Sequence, residues 1–224
     1  MRAYHFVNEK FGLEDLRQRR IKIALLNELN DPFELFGINL SEENLRLAFR
    51  AMKDKLALNR GILCFSLDWH NPVLWSHYAE KHRGFCFGFD MPDQYLSKVS
   101  YTRKRLILET EQLLSLGSRD IETQVEKFLS TKYAHWRYEN EARCFCALED
   151  LDKKKKMYFA EFSDNLKLVK VIVGAESNLT RETIDNALGD LAPHVEILKA
   201  SLSFKTFRVV YQKNQKLWSK QVGS

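Results

Sequence analysis

Glu139, Glu141 and Arg143 are the residues whose types and spacing point most directly to chemistry, and they fall in the stretch Trp136–Cys146, W-R-Y-E-N-E-A-R-C-F-C. Read as a strand, this stretch alternates its side chains between two faces, so Glu139, Glu141, Arg143 and Phe145 share one and Ala142, Cys144 and Cys146 the other. Successive same-side positions lie roughly 7 Å apart. Two carboxylates that close repel unless a cation, a metal or a ligand stands between them. The plain alternative is a solvated sheet face on which Arg143 bridges the two glutamates, an arrangement that needs no function.

Three further polar groups sit in or beside apolar segments, where an unpaired polar atom is costly. They are Tyr4-His5 near the start, the turn Asn30-Asp31-Pro32-Phe33-Glu34, and Ser66 at the end of Cys64-Phe65-Ser66. Each has an ordinary structural reading: His5 as a half-buried strand residue, Ser66 as the cap of the turn that follows. The chain carries no G-x-G-x-x-G and no G-x-x-x-x-G-K-[ST], so the usual phosphate cradles are missing, and H-E-x-x-H and G-x-S-x-G are missing too. His77 and His82 are five apart, on different sides of a helix. His82, just before Gly84, suits the negative end of a helix dipole.

The elements that must position these groups are mixed in kind. Ala3–Val7 and Ile21–Leu25 read as strands, with Asn8–Gly12 as a turn between the first strand and a short helix. Ser41 is placed to cap a helix carrying Leu45, Ala48, Phe49, Met52 and Leu56 at helical spacing. Ile62–Ser66 reads as a buried strand. Pro72 opens a helix whose face is Leu74, Trp75, Tyr78, Ala79 and His82, ended by Gly84. Phe85, Phe87 and Phe89 alternate as a strand, Val99–Thr102 is strand, and Arg105–Leu116 and Ile121–Ala134 are amphipathic helices. Met157–Phe162 is the expected hairpin partner of the Trp136 stretch. Leu168–Val173 follows as a strand, Thr180 caps a helix, and Val195–Leu198 and Phe204–Tyr211 close the chain as strands. Without regular alternation of strand and helix, the fold class is α+β, with mixed or antiparallel sheets around a cleft and flanking helices.

The 224 residues suffice for one sizeable core, and a single domain over 1–224 is expected. A net charge of +5 is mildly basic, compatible with a nucleotide or nucleic-acid partner. The run Lys153–Lys156 reads as a solvated hairpin loop. Four cysteines in apolar segments suit reduced, buried thiols, and the Cys144-x-Cys146 pair lacks the histidine spacing of a zinc site. No apolar run is long enough to cross a bilayer, and Met1-Arg2-Ala3-Tyr4-His5 lacks a signal-peptide core, so a cytoplasmic protein without a membrane partner is expected.

Taken together, these segments resemble the bacterial domain-of-unknown-function family 2971. The resemblance rests on Tyr4–Phe6, Asn30–Glu34 and Cys64–Ser66. It rests further on W-x-x-Y-A-x-x-H-x-G-x-C-x-G-F at Trp75–Phe89 and on W-x-Y-E-x-E-x-R at Trp136–Arg143. That family brings no established activity. More distantly, the order His5, Ser66, Glu139-x-Glu141 is similar to that of ADP-ribosyltransferases, although the usual Ser-Thr-Ser is not present. The similarity implies split sheets and catalytic roles for Glu141, Glu139, Ser66 and His5, with NAD as substrate. Glu141 would stabilise an oxocarbenium-like transition state, an electrostatic task. Tyr4, Arg143, Trp75, Tyr78, His82 and Trp136 are then the residues expected to bind NAD, with Arg143 able to keep Glu141 charged or to hold a phosphate. The implied activity is NAD cleavage with modification of a protein or nucleic acid, as in toxins and antiviral defence effectors. Two alternatives stay open. One is a metal-dependent nuclease using Asp31, Glu34, Glu139 and Glu141. The other is a non-catalytic module that binds a nucleotide or a partner.

Overall fold

The computed structural model describes residues 1–31, 33, 37–107, 125–214 and 218. They form an α+β protein that divides into two compact units, Met1–Ile21 with Phe65–Asp93 and Ala160–Ser224, and Lys22–Cys64 with Gln94–Phe159.

The first unit is built on a mixed sheet. Strand β1 (Arg2–Val7) pairs antiparallel with β4 (Phe85–Asp90) in an unbroken register from Arg2↔Asp90 to Val7↔Phe85. Strand β4 also pairs antiparallel with β11 (Lys167–Val173), which runs parallel to β12 (Glu196–Leu202), and β12 pairs with β13 (Val209–Tyr211). All of Phe85–Phe89 is buried, which explains why this strand is apolar on both faces. Phe85, Phe87 and Phe89 pack ring against ring along one side, while Cys86 joins Trp69, Trp75, Ile172 and Val209 on the other.

Helix α1 (Glu9–Gln18) starts directly after β1, with Asn8 as its N-cap accepting from the Phe11 N–H at 2.8 Å. The turn expected at Asn8–Gly12 is therefore the first turn of a helix, because the asparagine side chain satisfies an open backbone donor. Helix α3 (Pro72–Tyr78) opens on Asn71 and Pro72 as its sequence predicts, but it stops at Tyr78 rather than at Gly84. Glu80, Lys81 and His82 then take left-handed backbone angles, φ 49, 54 and 67. Thr180 caps α4 (Arg181–Leu188), accepting from the Thr183 N–H at 3.2 Å, and α4 packs against α1. Only Val209–Tyr211 of the expected strand Phe204–Tyr211 pairs; Phe204 and Phe207 lie fully exposed in the connection from β12.

The second unit carries shorter ladders. Strands β2 (Arg20–Leu25) and β3 (Arg60–Ser66) pair antiparallel, joined through α2 (Glu43–Asn59). Helix α2 begins after Glu42, with no side-chain cap, and the Ser41 N–H is itself taken by Asn39 Oδ1, which corrects the cap expected at Ser41. Strands β5 (Ser97–Lys98) and β3 flank β8 (Glu141–Ala147), and β6 (Ser100–Thr102) runs parallel to β7 (Thr131–Tyr133). Strand β9 (Leu151–Asp152) turns through Lys153–Lys156 into β10 (Met157–Glu161). The lysine run is thus the loop of a hairpin, as expected, and Asp152 Oδ1 accepts from the Lys154 and Lys155 N–H groups at 3.0 Å. The partner of β10 in that hairpin is β9, not the Trp136 stretch, because β8 is taken on its two edges by β3 and β5.

Much of the two helices expected at Arg105–Leu116 and Ile121–Ala134 lies outside the described residues. Of the described parts, residues 105–107 are not helical and Leu106 bridges Ile38; residues 125–129 are helical, and Thr131–Tyr133 is strand. The β-branched Thr131 and aromatic Tyr133 suit that strand better than a helix terminus.

Gly84 shows how closely the first unit is packed. A Cβ there meets the carbonyl oxygen of Val7 at 2.1 Å and Asn8 Cα at 2.9 Å, all backbone. Gly84→Ala is expected to cost at least about 2 kcal/mol, since neither strand end can move without breaking the β1–β4 ladder. Urea unfolding of the two proteins measures this; an unchanged midpoint contradicts it.

Candidate functional site

The stretch that anchors the sequence reading folds in two pieces. Ala134–Glu139 is a 3-10 turn, Asn140 closes it with left-handed angles (φ 44), and the strand begins only at Glu141. Glu139 and Glu141 are therefore not neighbours on one strand face. The left-handed Asn140 separates the 3-10 turn from the strand, and the two carboxylates approach the same cation from different elements. Asparagine at that position is the local signal, since it tolerates left-handed geometry better than most residues.

The cation is Lys132, a residue that sequence reasoning missed. Its Nζ lies 2.7 Å from Glu139 Oε2 and 3.3 Å from Glu141 Oε2, with all three side chains buried. Arg143, only 1% exposed, grips Glu141 through both oxygens, Nε to Oε1 at 2.8 Å and Nη2 to Oε2 at 3.0 Å, and its Nη1 donates to the Leu129 carbonyl. Lys132 Nζ also stands 4.9 Å from the centre of the Trp136 ring. The Glu141 N–H donates to Tyr101 Oη at 2.7 Å. Two negative and two positive side chains thus make an internally neutral cluster. The repulsion that the sequence raises between two nearby glutamates is resolved by an ammonium from β7.

These partners set the protonation of the cluster. Burial alone would raise the Glu141 pKa, but the charge and hydrogen bonds of Arg143, the charge of Lys132 and a hydrogen bond from Cys64 outweigh it and hold the carboxyl below its ordinary 4.5. Tyr101 is pushed up to about 12, first by burial and then by the charges of Glu141 and Glu139. On the other face of β8, Ala142 is fully buried, while Cys144 and Cys146 are half-buried with their Sγ atoms 3.9 Å apart.

Next to this cluster in the same unit is a cavity of about 310 Å³. Its buried wall is Asp31, Thr131 and Lys132; its open side carries Arg103, Lys104 and Arg105, with Phe33, Tyr133 and Trp136 supplying rings. Gly37 closes part of the wall, where a Cβ would stand 2.8 Å from Thr131 Cβ. Of these residues Asp31, Phe33 and Trp136 lie in stretches that the sequence singles out. Arg103-Lys104-Arg105 is a visible basic triplet, and could have been found as one.

The remaining candidates belong to the first unit, whereas Glu139, Glu141, Arg143 and Trp136 belong to the second. Tyr4 and Ser66 face each other across β1 and β3. The Ser66 hydroxyl donates to the Asp68 carbonyl at 2.9 Å and accepts from the Asp68 N–H at 3.1 Å, so it caps the turn after β3. His5 is half-buried and meets Phe65 edge-on at 5.9 Å. Trp75 is fully buried, donating Nε1–H to the Trp69 carbonyl at 2.6 Å and stacking on His82 at 6.3 Å. Burial lowers the His82 pKa. Tyr78 is half-buried at the end of α3. Glu34 lies outside the described residues; among those described, no group of three or more histidine, cysteine or acidic side chains is placed to hold a metal ion. No helix among them is long and apolar enough to cross a membrane.

Removing Arg143 leaves a buried carboxylate short of its main partner, so Arg143→Met is expected to destabilise the protein by about 3–5 kcal/mol in urea unfolding. The Glu141 contribution is complete above 4.5 and is lost as pH falls through its lower folded value. The stability difference between wild type and Glu141→Gln should therefore shrink on acidification, and a difference independent of pH contradicts the ionised cluster.

Comparison with curated proteins and with solved structures finds no match. Nothing in the comparisons links the chain to ADP-ribosyltransferases. One family model does match: residues 74–144, which hold the Trp75–Phe89 and Trp136–Arg143 motifs, fit the family described as a protein of unknown function (DUF2971).

Proposed function

We propose that this chain binds a nucleotide in the cavity beside the Lys132 cluster. The observation that carries the reading is the pairing of three consecutive cations with three rings around one small space. Among the described residues, no carboxylate forms an ion pair with Arg103, Lys104 or Arg105, so their charge is available to a phosphate. Trp136 and Tyr133 offer aromatic surface to a base, a contact that any base can use. A volume near 310 Å³ is at the small end for ligand sites and suits one nucleoside with its phosphate at the mouth.

NAD belongs among the ligands to test, because of the sequence similarity described above. Transfer from NAD asks more of the site than binding does. Both oxygens of Glu141 are held by Arg143, and one also faces Lys132. To bond a ribose, the carboxylate would have to give up part of that set. Binding needs no such exchange, so the proposal is binding, with ADP-ribosyl transfer as a further activity to assay.

Calorimetric titration of the full chain with GMP, AMP and NAD tests it. Micromolar binding is expected, weakened about tenfold or more by Arg103→Ala with Arg105→Ala, with a shallower salt dependence in the double variant. Trp136→Ala is expected to cost a similar factor. Binding unchanged in the double variant, or no binding of any nucleotide, overturns the proposal. Release of nicotinamide from NAD that is abolished by Glu141→Gln would add catalysis to it.

A further inference from the structure

We infer that Asp31 selects guanine, by accepting two hydrogen bonds from the base edge at the buried wall of the cavity. This rests on the nucleotide reading above and deepens it.

Asp31 is an unusual member of the cavity wall. Its side chain is 7% exposed, and among the described lining residues it is the one carboxylate, set against the exposed cations Arg103, Lys104 and Arg105. Within the fold its carboxylate has one hydrogen bond among the described residues, Oδ1 accepting from the Phe33 N–H at 2.9 Å, and no ion pair. Lys132 does not serve it, being engaged with Glu139 and Glu141. A carboxylate accepts at about four positions, so Asp31 retains acceptor capacity in a place where water is scarce. Such a group favours a ligand that brings donors and disfavours one that brings acceptors.

That asymmetry orients the ligand. The phosphate is repelled by Asp31 and attracted by the Arg103–Arg105 triplet, so the base end faces Asp31. Among the common bases, guanine presents two adjacent donors, N1–H and N2–H, which match the two oxygens of one carboxylate. Adenine and cytosine each set one amino donor beside a ring-nitrogen acceptor, and uracil flanks its N3–H with two carbonyls. In each of those the neighbouring lone pair meets the carboxylate unfavourably. A good bidentate pair discriminates by roughly five- to 150-fold.

The test is calorimetric titration of the unmodified full chain with GMP, IMP, AMP and XMP. The expected order is GMP, then IMP, which keeps N1–H but lacks the 2-amino group, then AMP, with GMP ahead of AMP by at least tenfold. Asp31→Asn should lose the preference for GMP and gain affinity for XMP, because an amide donates to the xanthine O2 where a carboxylate cannot. A residue that merely shaped the turn would weaken all four ligands alike. Equal binding of GMP and AMP to the wild type overturns the role of Asp31 while leaving nucleotide binding intact. Failure of all four to bind removes the nucleotide reading and this inference with it. The wild-type series decides the matter even if Asp31→Asn does not fold.

Discussion

The second unit depends on a single electrostatic constraint: two carboxylates share one buried ammonium. Burying any one of Glu139, Glu141, Lys132 or Arg143 alone would be prohibitive, and only the complete set is affordable in a low-dielectric interior. Lys132 comes from β7, Glu139 from the 3-10 turn, and Glu141 and Arg143 from β8. The cluster therefore does more than balance charge. It fixes the position of β7 relative to β8, and with β7 the parallel neighbour β6, which leads directly into Arg103, Lys104 and Arg105. Trp136 is held in the same way, its ring against the Lys132 ammonium. The cavity wall is in this sense an outgrowth of the ion cluster.

The sequence discloses some of this and conceals the rest, for identifiable reasons. Local signals were legible where one residue type has one conformational use. Asn71-Pro72 opens a helix, Thr180 caps another, the lysine run turns a hairpin, and the alternating phenylalanines of β4 are a buried strand. The glutamate pair was legible as a problem, two like charges in need of a cation. Its solution was not, because Lys132 sits on a three-residue strand too short to show a period, held by its pairing with β6 and by the cluster itself. Period-two reading also fails across Asn140, since one left-handed residue resets the register of everything before it.

The same comparison separates polar residues that look alike in sequence. Ser66 and Asp31 both follow apolar segments. The Ser66 hydroxyl both donates and accepts within its own turn, and so belongs to the local backbone. Asp31 accepts a single backbone N–H and lines a cavity. His82 and Trp75 belong to a conspicuous aromatic motif, yet they stack on each other and Trp75 spends its indole N–H on a main-chain carbonyl. The motif reads as packing around the left-handed turn at Glu80–His82 and the close approach of Gly84 to β1.

What sets the character of the cavity is which charges the cluster leaves over. Lys132 lines the space, but its charge is matched by Glu139 and Glu141, and Arg143 is turned toward Glu141 and the Leu129 carbonyl. The buried wall is consequently close to neutral apart from Asp31, and the positive charge is confined to the exposed triplet at the mouth. An anion is attracted to the exposed triplet and, among the described residues of the buried wall, meets no unmatched cation to pull it inward. A ligand that fits such a gradient must be negative at one end and donor-rich and flat at the other. The cavity's polarity thus follows from the stoichiometry of the cluster: two buried acids demand two buried bases, and among the described residues of the buried wall no positive charge is left unmatched.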